Sequence, residues 1–62
     1  MIQKNDVVLI NKPFFWGKVY FPPNSKAVVI DRISNNQVWV EFSKELGSQY
    51  LVPICILRKT YA

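Results

Sequence analysis

A chain of 62 residues has room for one domain, and a domain this short buries only about 60% of its unfolded surface and is held by a small margin. Its formal charge of +4, from eight Lys and Arg against four Asp and Glu, favours an acidic partner, whether protein, nucleic acid or anionic surface. With no His and one Cys, the commonest general base is missing, a metal cage has too few donors, and no disulfide can staple the chain.

The first predicted element is the strand "DVVLI" (6–10), with Asp6 in the turn that leads into it. Next comes "PFFWGKVYFPP" (13–23), which holds five of the chain's nine aromatic residues between three prolines. The prolines argue for a long surface loop, with Gly17 free to make a sharp reversal near its tip. So small a core cannot bury all of Phe14, Phe15, Trp16, Tyr20 and Phe21. Alternate residues are expected to turn inward, leaving two or three exposed beside Lys12 and Lys18. "KAVVIDRI" (26–33) is the second strand, with Asp31 paired to Arg32 or to a strand neighbour. The polar "SNNQ" (34–37) is a tight turn suited to Asn in left-handed conformations.

The clearest strand is "QVWVEF" (37–42), with Val38, Val40 and Phe42 on one face and Trp39 and Glu41 on the other. "SKELGS" (43–48) is a loop turned by Gly47. "QYLV" (49–52) and "LRKTY" (57–61) are short strands; Pro53 breaks the ladder between them, so residues 53–56 are expected as one 3₁₀ turn. Cys55, between Ile54 and Ile56, reads as a small buried apolar residue. No segment has helical spacing, and no repeat or linker divides the chain, so a single all-β domain over residues 1–62 is expected. No apolar run approaches the roughly 18 residues that span a bilayer, and no signal-peptide pattern opens the chain. With the lone thiol, this gives a cytoplasmic expectation, which includes peripheral association with a membrane complex.

Five strands, a long first loop and a 3₁₀ turn before the last strand resemble a five-stranded SH3-like barrel. "VPICIL" (52–57) looks like the apolar-Pro-x-x-apolar signature that ends SH3 domains, and "VWVE" (38–41) sits where they carry a tryptophan pair. The groove tryptophan position is Val38, the terminal tyrosine position is Ile56, and the first loop is basic, which argues against a polyproline ligand. The stretch 40–57 also resembles the C-terminal half of plasmid-encoded type II dihydrofolate reductases, through Val40, Glu41, Gly47, Ser48, Pro53 and Leu57. Their substrate-binding Gln-Ile-Tyr triplet is replaced by Tyr50, Leu51 and Val52, so the resemblance implies the fold without the activity.

"MIQKNDVVLINKPFFW" resembles the N-terminus of the photosystem I PsaE family, through Gln3, Lys4, Val8, Ile10, Lys12, Pro13 and Trp16. That resemblance implies a docking subunit for an acidic ferredoxin-type electron carrier. The loop departs from the family in continuing as "GKVYFPPNS".

No Gly-rich phosphate loop is present, and Asp6 and Asp31 lack an acid or base companion nearby in sequence. The expectation is therefore a non-enzymatic docking module without a cofactor. Its partner-binding residues are expected to be Lys12, Phe14, Phe15, Trp16, Lys18, Trp39, Arg58 and Lys59, a basic rim around aromatic anchors. The alternative is nucleic acid, as bound by SH3-like barrels of the KOW, Tudor and integrase C-terminal kinds. "NSKAVVI" lacks the glycines usual before the second strand of KOW domains. Trp39 could stack a base, meet a protein, or pack beneath the long loop as a minor core. A second copy of the chain is another candidate cover for the aromatic patch.

Overall fold

The computed structural model describes residues 2–60, within which seven short strands and one 3₁₀ turn form. They are β1 (Val7–Ile10), β2 (Phe14–Trp16), β3 (Val19–Phe21), β4 (Lys26–Arg32), β5 (Gln37–Phe42), β6 (Tyr50–Pro53), the turn Ile54–Ile56, and β7 (Leu57–Lys59). Residue 61, where the last predicted strand ends, lies outside the described residues.

The strands make two sheets: an antiparallel five-stranded sheet in the order β6-β5-β4-β1-β7, and the hairpin β2-β3. This corrects the expected five-stranded SH3-like barrel. The fold is all-β, but its sheets are not closed: β6 and β7 are opposite edges of the larger sheet, and the hairpin strands pair only with each other. Two local features keep the ladder open. Pro53 ends β6 without an N–H to donate, and the turn that follows carries the chain away to the far edge. Pro53 does not break its own strand, as expected from sequence; on an edge it pairs with Gln37 and closes β6.

Alternation decides what the larger sheet buries. Val8, Ile10, Ala27, Val29, Val38, Val40, Phe42 and Val52 are fully buried, and their strand neighbours are not. A register shift between Val29 and Asp31 bends β4, the central strand, so the sheet curls around this inner face. Each such side chain contributes about 1.5–3 kcal/mol by leaving water.

The segment 13–23 is the second correction. It is not an irregular loop but a hairpin between flanking prolines, with Phe14 opposite Phe21, Phe15 opposite Tyr20 and Trp16 opposite Val19. Proline blocks a ladder only where it must donate, and all three prolines lie outside β2 and β3. Gly17, at φ 60°, supplies the positive φ that a two-residue hairpin turn needs at its first central position. The hairpin lies over the open side of the curled sheet. Phe21 is fully buried there and stacks on Phe42, with centroids 3.9 Å apart and planes 14° apart.

Two smaller expectations also change. Among the described residues, the non-glycine positions with positive φ are Asn5 and Asn24, not the Asn35 and Asn36 of the "SNNQ" turn. In that turn the Asn36 N–H is instead held by the Ser34 hydroxyl at 3.1 Å. Cys55 is exposed rather than buried: the 3₁₀ turn points Ile54 and Ile56 toward the core, and the residue between them faces out. Gly47 does turn its loop, at φ 89°.

Candidate functional site

The hairpin has two unlike faces. Phe14, Trp16, Val19 and Phe21 share the side toward the sheet, because residues two apart, and those opposite them, point the same way. Phe14 lies 6.2 Å from Phe42, and Trp16 meets Tyr50 edge-on at 5.7 Å. These rings make the hairpin a lid. Phe15 and Tyr20 are the opposite pair, ring against ring at 4.9 Å, and they face water at 67% and 43% exposure. Trp16, at the tip, is 44% exposed with its other side on Tyr50. The aromatic segment is thus a lid on one face and a surface on the other.

The surface is basic. Between Val7 and Ile30 the chain carries Lys12, Lys18 and Lys26 and no carboxylate. Lys12 is exposed just before the hairpin, and Lys18 is exposed in its turn. Lys44 joins them from the β5–β6 loop: its ammonium donates to the Tyr20 carbonyl oxygen at 3.1 Å and lies 5.9 Å from the Phe21 ring centre.

The eight residues expected to bind a partner do not form one site. Lys12, Phe14, Phe15, Trp16 and Lys18 belong to the hairpin and its approach, with Phe14 turned inward and half-buried. Trp39 points away from the core, between Asp31 of β4 and Leu51 of β6 on the outer face of the larger sheet. It makes no minor core beneath the hairpin, whose rings pack on the inner-face residues Phe42 and Tyr50. Arg58 is also on the outer face, and its guanidinium donates to the Asn24 side-chain oxygen at 3.1 Å.

Lys59 is bound to Asp6 across 3.4 Å. Asp6 sits in the predicted turn and also accepts the Gln3 N–H at 2.7 Å. That backbone hydrogen bond, with a smaller contribution from Lys59, holds its carboxyl below the usual carboxylate range despite the opposing effect of partial desolvation. A depressed folded-state pKa stabilises the fold above the ordinary carboxylate value, and that stability is lost as pH falls through the folded value. Melting temperature is therefore expected to drop at acid pH more in the wild type than in Asp6→Asn, which keeps an acceptor and loses the titration. Equal acid sensitivity in the two would contradict the assignment.

Two members of the hairpin surface were absent from the sequence-derived site. Tyr20 becomes visible once a Gly17-Lys18 turn is drawn, because it must then oppose Phe15. Lys44 carries no local signal, since only the tertiary fold brings it to a residue 24 positions earlier.

Elsewhere, a groove of about 560 Å³ runs between the Ser34–Gln37 turn and Pro53, Ile54 and Cys55. No charged side chain lines it. Among the described residues, no group of three or more His, Cys, Asp or Glu is placed to hold a metal ion. No helix among them is long and apolar enough to cross a membrane. Comparisons with family models, curated proteins and solved structures return no match for this chain.

Proposed function

We propose that this chain is a non-enzymatic docking module that presents the outer face of the β2–β3 hairpin to an acidic protein. One observation carries the reading: an exposed, mutually stacked Phe15–Tyr20 pair lies among Lys12, Lys18 and Lys44 on a segment without carboxylates. Aromatic side chains supply contact area at low entropic cost, while the lysines steer an anionic partner and fix its orientation. The likeness of the first 16 residues to the photosystem I PsaE family supports an acidic electron carrier of the ferredoxin type as that partner. The nucleic-acid reading loses its main support, because Trp39 is removed from the hairpin lysines and stands beside Asp31.

Titration calorimetry with a plant-type ferredoxin, and separately with a duplex oligonucleotide, tests the proposal. Ferredoxin is expected to bind, with affinity falling as salt shortens the Debye length from about 10 Å at 0.1 M toward about 3 Å at 1 M. Lys12→Glu with Lys18→Glu should weaken that binding and flatten its salt dependence. Binding to the oligonucleotide alone, with a log-log salt slope near −0.9 per phosphate neutralised, would replace the acidic-protein reading with the nucleic-acid one.

A further inference from the structure

The hairpin is not the only apolar surface. On the outer face of the five-stranded sheet, Val7, Leu9, Val28, Trp39 and Leu51 alternate with the buried core residues, and each keeps part of its side chain in water. A one-layer antiparallel sheet ordinarily turns polar residues to this side. Here the register lines the apolar ones up across the strands: Leu51 beside Trp39, Val28 beside Val7, and Leu9 at the centre of the last row.

The charges on this face separate by sign. Asp31 borders Trp39, and Glu41 borders Val28, so both carboxylates lie toward the β5 side. Lys26 and Arg58 flank Leu9 on either side, at the other end of the strands. Two pair-steps along β4 separate the Asp31 row from the Lys26 row, about 13 Å. None of the four is neutralised by an ion pair among the described residues: Asp31 accepts the Arg32 backbone N–H, Glu41 accepts the Gly47 N–H, and Arg58 bonds a neutral amide.

An apolar stripe with an acidic corner and a basic corner is self-complementary. A two-fold axis lying in the face, between the corners, sets the acidic corner of each copy against the basic corner of the other. A purely acidic or purely basic partner would meet repulsion at one corner, whereas a second copy meets none. We infer that this outer sheet face is a homodimer interface, with Trp39 as its anchor. The two hairpins lie on the opposite side of their sheets and so remain free, which gives the dimer two outward docking surfaces.

Sedimentation equilibrium of the intact chain over a rising concentration series tests this, at low and high salt. The wild type is expected to approach twice the monomer mass, more readily at low salt. Two charge-swapped chains sharpen the test: one carrying Asp31→Lys and Glu41→Lys, the other Lys26→Glu and Arg58→Glu. Each alone should stay monomeric, because its face now has one sign, and a one-to-one mixture should form a heterodimer. Phe15→Ala with Tyr20→Ala should leave the mass unchanged, since the hairpin lies outside this interface. A wild type that stays monomeric throughout the series overturns the inference, and it decides the matter even if a swapped chain does not fold. Dimers that survive both charge swaps, or that vanish with the hairpin variant, overturn it as well.

Discussion

Phe21→Ala is expected to leave most of the chain unfolded at room temperature. Phe21 is the largest side chain that the hairpin buries; it stacks on Phe42 and meets Tyr50 edge-on at 5.1 Å. Truncating such a phenylalanine costs about 3–5 kcal/mol, because the cavity adds to the lost transfer energy. A domain near the lower size limit has about 5 kcal/mol or less to lose. The sheet alone cannot compensate, since removing the lid exposes Phe42 and Tyr50 to water. Val40→Ala, in the middle of β5, should cost less, about 2–3 kcal/mol, because fewer methyl groups leave. Trp16→Ala should cost about 1–2 kcal/mol, for its ring is covered by Tyr50 on one side only. Denaturant melts of the three variants beside the wild type give the order. Phe21→Ala melting with the wild type would mean that the hairpin does not close the core.

The combined change Phe15→Ala and Tyr20→Ala should do the reverse: melt near the wild type and lose the partner. Both side chains lie on the water side of the hairpin, and their cross-strand contact stabilises the pair by only about 0.2–1 kcal/mol. At an interface the same rings would be buried, and losing such an anchor costs about 2 kcal/mol or more, roughly thirtyfold in affinity. Calorimetry against ferredoxin and a melt on the same samples separate the two quantities. Trp16→Ala is a poorer probe, because it moves both. Unchanged affinity in the Phe15 and Tyr20 variant would place the docking surface elsewhere.

These two expectations also show where local sequence was sufficient. Strand β5 was legible to the residue, because Val38, Val40 and Phe42 alternate with Gln37, Trp39 and Glu41. Alternation is a property of one strand and needs no partner to be read. The 3₁₀ turn after Pro53 and the reversal at Gly47 were legible for a similar reason, as proline and glycine act on their own backbone dihedrals.

The hairpin was not legible, because its signals compete. Three prolines suggest a loop, while the pattern between them fits two three-residue strands around Gly17-Lys18. Only the rings of Phe42 and Tyr50, far along the chain, reward Phe14, Trp16 and Phe21 for lining up on one side. The exposure of Cys55 is of the same kind, since two isoleucine neighbours make it look buried until the turn assigns each side chain a direction.

By itself the sequence determined an all-β chain, the faces of its clearest strand, the turn glycines and a basic, aromatic segment without carboxylates. Tertiary structure alone decided that the sheets stay open, that the aromatic segment is half lid and half surface, and that Lys44 joins it while Trp39 does not. The physical reason is range. Dihedral preferences and alternation act over one to four residues, whereas edges, lids and shared surfaces depend on which distant strands find each other. That choice is made by the summed burial of side chains no local window contains.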